Sequence, residues 1–169
     1  MPINPCTLCN ANCCKTYTIT VTPQDIIRIS NATGKKPEEF AVLHEAKLLS
    51  YDPDLVLTTL DGYGYYLLGI KSHPCIFLEK SNKCSVHSSA PLSCKRYPFA
   101  ISGVLNTRFC PSLSKFLFRL KCPDIDDVQL KKEISDYKEI VIKWNQKPGK
   151  KDAVLEFLMS GFISASSDL

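Results

Sequence analysis

The chain has 169 residues, of which 44% are hydrophobic and 22% charged; this suits a folded domain with its own core and excludes a disordered tail. A formal charge of +4 is mild, and no lysine or arginine run is dense enough to mark a nucleic-acid footprint. Nine cysteines are the outlier in this composition.

Four of those cysteines open the chain, as Cys6-Thr-Leu-Cys9-Asn-Ala-Asn-Cys13-Cys14. Cys6 and Cys9 can turn their sulfurs to one side of a loop and grip a single metal ion or one corner of a cluster. Cys13 can add a third ligand from the same loop. Neighbouring side chains of an extended segment point to opposite faces. Cys14 is therefore expected to serve a second metal, or a ligand set closed from elsewhere.

Thr16 to Val21 alternates β-formers and reads as a strand. A helix start follows, with Thr22 at the N-cap, Pro23 in the first helical position and the Asp25 carboxylate near the positive helix end. Ile26, Ile27 and Ile29 supply its buried side, and Gly34 ends it. A second start at Pro37-Glu38-Glu39 leads into Phe40, Leu43, Ala46 and Leu48, an apolar stripe at helical spacing. Leu55 to Leu60 and Tyr65 to Ile70 form a hairpin across Asp61-Gly62-Tyr63-Gly64. Tyr63, Tyr65 and Tyr66 fit strand packing better than a stacking platform.

The middle of the chain carries the second cysteine group. Pro74 to Leu78 and Lys83 to His87 read as a short hairpin around Glu79 to Asn82, delivering Cys75 and Cys84. Ser89 to Cys94 reads as a capped helical turn, broken by Tyr97-Pro98-Phe99. Phe99 to Leu105 is an expected strand, and Cys110-Pro111 follows it. Ile134, Tyr137, Val141 and Trp144 recur at three and four residues and predict a long amphipathic helix, stopped by Pro148-Gly149. Its lysines (Lys131, Lys132, Lys138, Lys143, Lys147) alternate with Glu133, Asp136 and Glu139, the pattern of a solvated, salt-bridged face rather than an RNA-binding one. Val154, Leu155, Leu158 and Phe162 predict a last short helix.

The fold class read from this pattern is α+β. A small cysteine-rich, metal-bound core with short β-hairpins is flanked by N-terminal helices and a C-terminal amphipathic helical segment. Residues 1–111 are expected to form the cysteine-cluster metal-binding domain, with 112–169 a helical extension packed on it as one compact unit. The N-terminal residues lack the basic and apolar regions of a secretory leader, and no apolar run has the length of a membrane helix. A cytoplasmic, reducing location is thus expected, where clustered thiols are metal ligands more often than disulfides.

The pattern resembles the YkgJ-like cysteine-cluster family, a zinc- or iron-chelating domain. Its opening is matched by Cys6, Cys9, Cys13 and Cys14, and its T-x-x-D-x-x-R-I segment by Thr22, Asp25, Arg28 and Ile29. A C-x-F-L and C-x-hydrophobic-His/Tyr pair is matched by Cys75, Phe77, Leu78, Cys84, Val86 and His87. The R-P-x-x-C-R-x-[FY]-P-F segment is matched by Pro91, Cys94, Tyr97, Pro98 and Phe99, and a late Cys-Pro by Cys110-Pro111. Two arginines of that pattern are replaced, by Ala90 and by Lys95, with Arg96 beside the latter. The resemblance runs from about Cys6 to Pro111 and implies a metal-ligand set of Cys6, Cys9, Cys13, Cys14, Cys75, Cys84, Cys94 and Cys110. Cys122 falls outside it.

Eight thiolates exceed the needs of one tetrahedral zinc, and only Cys6/Cys9 has the form of a zinc knuckle. One local run closed by a remote Cys-Pro is closer to iron–sulfur ligation, so an iron–sulfur cluster or iron centres are favoured, with zinc the alternative cofactor. Cys122-Pro123 fits the closing role as Cys110-Pro111 does. His87 suits a supporting or packing role better than direct ligation; His73 and His44 are ordinary loop and helix residues. No catalytic residue can be named, because no nucleophile pattern separates from the metal set and no glycine-rich phosphate loop is present.

The function expected is a metal-binding cysteine-cluster protein without nucleic-acid or membrane partners. One alternative is a zinc-stabilised interaction module whose helix from Asp124 to Gln146 docks a protein partner. Another is an S-adenosylmethionine-dependent protein-modifying enzyme, since flagellin lysine-N-methylases carry a similar cluster, although they are longer and no nucleotide-binding fingerprint is seen here.

Overall fold

A computed structural model describes residues 10–48, 52–61, 64–98, 110 and 127–166. The strand expected over Phe99–Leu105 and the cysteines Cys6, Cys9 and Cys122 lie outside the described residues.

Strand β1 is short, Ile19–Thr20, because the segment before it is the one-turn helix α1, Asn12–Thr16. Helix α2, Pro23–Thr33, starts and stops where its sequence says. The Thr22 hydroxyl accepts the Asp25 N–H at 3.2 Å while the Asp25 carboxylate accepts the Thr22 N–H, a reciprocal capping box. Gly34 ends the helix at φ 69°, a left-handed conformation that glycine adopts without steric cost.

The second helix start is real, but its extent is not as expected. Helix α3 is one turn, Pro37–Phe40, and Ala41–Glu45 is strand β2. Apolar residues at 40, 43, 46 and 48 fit a helix, yet a lone helix of that length is marginal in water. Strand β4, Tyr65–Ile70, instead offers an edge on which five residues pair in register, from Ala41 opposite Ile70 to Glu45 opposite Tyr66. His44 therefore sits on a strand rather than a helix. Its Nε2 lies 3.0 Å from the Ile70 carbonyl, and its ring covers Gly69, where a Cβ would come within 2.5 Å of it.

Strand β3, Leu57–Thr58, closes the expected hairpin, with Leu57 opposite Tyr66 and Thr58 opposite Tyr65. β2 runs along one side of β4, so β1 and β3 share the other end to end. Among the described residues, every strand pairing is antiparallel.

Among the described residues, the main core lies between this sheet and three helices. Leu57, Leu68 and Ile70 meet Ile26 and Ile29 of α2, then Tyr137, Ile140, Val141 and Trp144 of helix α5, Asp127–Gln146. Val154 and Leu158 come from helix α6, Val154–Ser166. The spacing read from the sequence of α5 is thus the spacing it buries. Its last turn also covers the free side of β3: Trp144 Nε1 donates to the Thr58 carbonyl at 2.6 Å, and Asn145 bonds both Val56 O and Thr58 N. Those backbone groups would otherwise form an open sheet edge. No described helix is long and apolar enough to cross a membrane.

Candidate metal centre

Three elements distant in sequence bring thiols toward one region. The first is α1, whose Cys13 and Cys14 are neighbours on a helical turn rather than on an extended segment. Successive helical residues diverge by about 100°, not 180°, so the two sulfurs lie on the same side, 3.9 Å apart. This corrects the expectation that they face opposite ways. The turn into α1 is made by Ala11 at φ 54°, a left-handed conformation unusual for a residue with a Cβ.

The second element is the tight loop after β4. The Cys75 N–H donates to the Cys14 carbonyl at 2.8 Å, pinning loop and α1 together. Cys75 is buried, and Phe77 beyond it packs on Phe40 with ring centroids 5.4 Å apart. The expected hairpin is reduced to a single bridge, Leu78 opposite Cys84, closed by Glu79 N to Lys83 O at 2.9 Å. It delivers Cys84 beside Cys75.

The third element is helix α4, Leu92–Arg96, which carries Cys94. Burial pushes the Cys94 thiol well above the ordinary range, and the Cys75, Cys13 and Cys84 sulfurs and the Asp25 carboxylate add to the effect. Cys75 is raised by burial and then by Cys84 and Cys13. Cys84 is raised by burial, then Glu79 and Cys13. Cys13 is raised most by its contact with Cys14 and next by burial. Cys75 is buried, and Cys13, Cys84 and Cys94 are half-buried. Cys13, Cys14, Cys75, Cys84 and Cys94 all carry free thiols. Among the described residues, no three of His, Cys, Asp and Glu are close enough to hold an ion.

Cys110 is placed against an aromatic pair. Its thiol donates to the Tyr97 hydroxyl at 3.8 Å, and Tyr97 meets Tyr17 edge-on with centroids 5.7 Å apart. Burial, and then the Cys110 thiol, hold the Tyr97 phenol above its usual range. The imidazole of His87 is exposed, and His73 Nε2 lies 3.1 Å from the Thr18 hydroxyl. Of the two basic residues after Cys94, Lys95 reaches out to the Ser88 carbonyl at 2.7 Å, whereas Arg96 is buried at 5% exposure.

Behind the thiols lies a polar network that sequence reasoning missed. Arg28 bonds Asp25 on its own helix and holds Glu133 of α5 through both terminal nitrogens, at 3.1 and 3.2 Å. Thr22 Oγ1 donates to the same Glu133, as does Gln129. Glu133 is therefore a buried partner of α2, not part of a solvated lysine-rich face. Asp136 does pair at the surface, with Lys132 at 3.9 Å, while Lys138 turns to Asp52 and Asp54. The signal for Glu133 was its place one residue before Ile134, at the margin of the apolar stripe of α5, but its partner lies more than 100 residues away.

A family model named CxxCxxCC, described as "Putative zinc- or iron-chelating domain", matches residues 5–138. The chain belongs to that family. The match runs past Pro111, where the motif likeness stops, and takes in Glu133, the residue that ties α5 to α2. The chain puts three residues between Cys9 and Cys13 where the family's label has two. Neither the curated proteins nor the solved structures hold a match. The family's description supports metal binding through the cysteines, with zinc or iron as the ion.

Proposed function

We propose that the protein holds an iron–sulfur cluster or iron centres through thiolates drawn from Cys6, Cys9, Cys13, Cys14, Cys75, Cys84, Cys94 and Cys110. The observation that carries this reading is the 2.8 Å bond from the Cys75 N–H to the Cys14 carbonyl, which brings the Cys13-Cys14 turn against the loop that bears Cys75 and, across the Leu78–Cys84 bridge, Cys84. Thiols so placed resist ionisation, because each thiolate would be buried beside others of the same charge. A bound cation reverses that balance: it takes thiolates as ligands and cancels their repulsion. The donor set is soft, which suits iron–sulfur clusters and zinc and disfavours hard cations.

The preference for iron rests on the Cys6-Cys9-Cys13 run and the remote Cys110-Pro111. Bound metal would tie α1, the loop after β4 and α4 together and supply redox or structural chemistry there. A reducing cytoplasm is the compartment in which this set stays available for metal.

Anaerobic purification followed by iron, zinc and acid-labile sulfide analysis tests the reading. Iron with sulfide, and a visible absorbance bleached by dithionite, is expected. Zinc without sulfide would replace the iron reading with a zinc-stabilised module; a folded protein free of both metals would overturn metal binding altogether.

A further inference from the structure

We propose that Asp25 is a positioning residue for Cys94: its carboxylate caps helix α4 from outside, and the Arg28–Glu133 pair fixes that carboxylate against α2 and α5. The inference rests on the metal-binding reading and goes beyond it, to how one ligand is held.

Helix α4 cannot cap itself. Its N-cap residue is Pro91, which has no side-chain oxygen, and no side-chain cap comes from within the element. The nearest preceding hydroxyl, that of Ser89, donates instead to the Val86 carbonyl. The first-turn amide of Leu92 is met from 67 residues away, by Asp25 Oδ1 at 3.0 Å. Cys94 lies two residues beyond that amide, so this contact helps set the register of α4 and the place of the Cys94 sulfur, together with Ser93 Oγ donating to the Thr20 carbonyl and Lys95 to the Ser88 carbonyl.

Asp25 itself is held on every side. Its Oδ2 accepts the Thr22 N–H, its Oδ1 accepts from Arg28, and it is 1% exposed. Arg28 is locked in turn by the two oxygens of Glu133. The network thus reaches from α5 through Arg28 and Asp25 to the first turn of α4. The Thr-x-x-Asp-x-x-Arg spacing follows directly, because residues three apart on a helix face the same way.

Cobalt titration of the full chain provides the test, with Co²⁺ as probe. Asp25→Asn is expected to weaken Co²⁺ binding by about 10- to 100-fold. It should also lower the thiolate-to-cobalt absorbance and make Cys94 alkylate faster with iodoacetamide in the loaded protein. Leu92→Pro deletes the capped N–H at a first helical position that tolerates proline, and should expose Cys94 in the same way. It serves if Asp25→Asn is recovered only as insoluble protein. Val141→Ala, a core change remote from the network, should lower the melting temperature while leaving cobalt affinity and Cys94 protection unchanged. Wild-type cobalt spectra, affinity and Cys94 protection in both Asp25→Asn and Leu92→Pro would overturn the positioning role. Failure of the parent protein to bind Co²⁺, iron or zinc would overturn the metal reading itself, a distinct result.

Discussion

Arg28→Met removes the cation from between two buried carboxylates while keeping most of the aliphatic stem. In the parent, Arg28 bonds Asp25 and grips Glu133 at 3.1 and 3.2 Å, with the two acid side chains only 1% and 8% exposed. Breaking a buried ion pair from one side costs about 3–5 kcal/mol. Because the Arg28 side chain is itself 25% exposed, the lower end, about 3 kcal/mol, is expected. For a chain of this size each kcal/mol moves the melting point by about 2–4 °C, so a fall of about 6–12 °C should appear in thermal unfolding.

The loss has a pH signature. Burial already pushes the Asp25 carboxyl above its usual range, against the Leu92 and Thr22 amides and the Arg28 guanidinium. Without the guanidinium, one of the contacts that holds the Asp25 carboxyl down is gone, so it titrates in the folded state still further above its unfolded value of about 3.9. The folded variant then binds protons that the unfolded chain has released. Its stability is fully present below about pH 4 and is lost as pH rises through the raised folded value. The deficit relative to wild type should therefore be small near pH 4 and reach its full size by neutrality. Chemical unfolding across that range measures it. A deficit below about 1 kcal/mol, or one that does not change with pH, would refute the reasoning.

Cys9→Ser and Cys94→Ser should lower metal content and soluble yield together, and Cys122→Ser only weakly; metal analysis on parallel preparations checks this, and equal losses from all three would mean the ligand set is drawn wrongly. Because burial and neighbouring sulfurs hold Cys13, Cys75, Cys84 and Cys94 above the ordinary thiol range, they are protonated at neutral pH, and metal loading should release about one proton per thiol bound. A pH-indicator titration would detect this, and loading without proton release would contradict it. Ala11→Gly should raise stability by about 0.5–1 kcal/mol, since glycine relieves a left-handed strain of about 1–2 kcal/mol and returns part of it as unfolded-chain entropy. Denaturant midpoints would show the gain, and a loss would mean that the Ala11 methyl packs to advantage.

Local chemistry was legible wherever a short stretch decides its own conformation. Thr22, Pro23, Asp25 and Gly34 announce α2 because capping and the left-handed stop need only neighbouring residues. Tyr137, Val141 and Trp144 show the buried face of α5 because its repeat matches the helix period. The strand at Ala41–Glu45 was not legible, because its conformation is set by β4, more than twenty residues on. The candidate cysteines stood out by their number and company, but nothing in the sequence showed that the Cys75 amide would meet the Cys14 carbonyl. Cys13 and Cys14 misled through the assumption of an extended backbone, which α1 is not. Glu133 was hidden for a related reason: on a helix rich in lysine it looks like one more solvated acid, and only the fold brings Arg28 to it.

X-ray absorption at the iron and zinc edges of anaerobically purified protein tests most directly whether sulfur holds metal here. A sulfur shell at about 2.3 Å from the absorbing ion is expected, shrinking in sulfur number in Cys94→Ser. A shell of oxygen and nitrogen alone, or no edge above background in a folded sample, would contradict it.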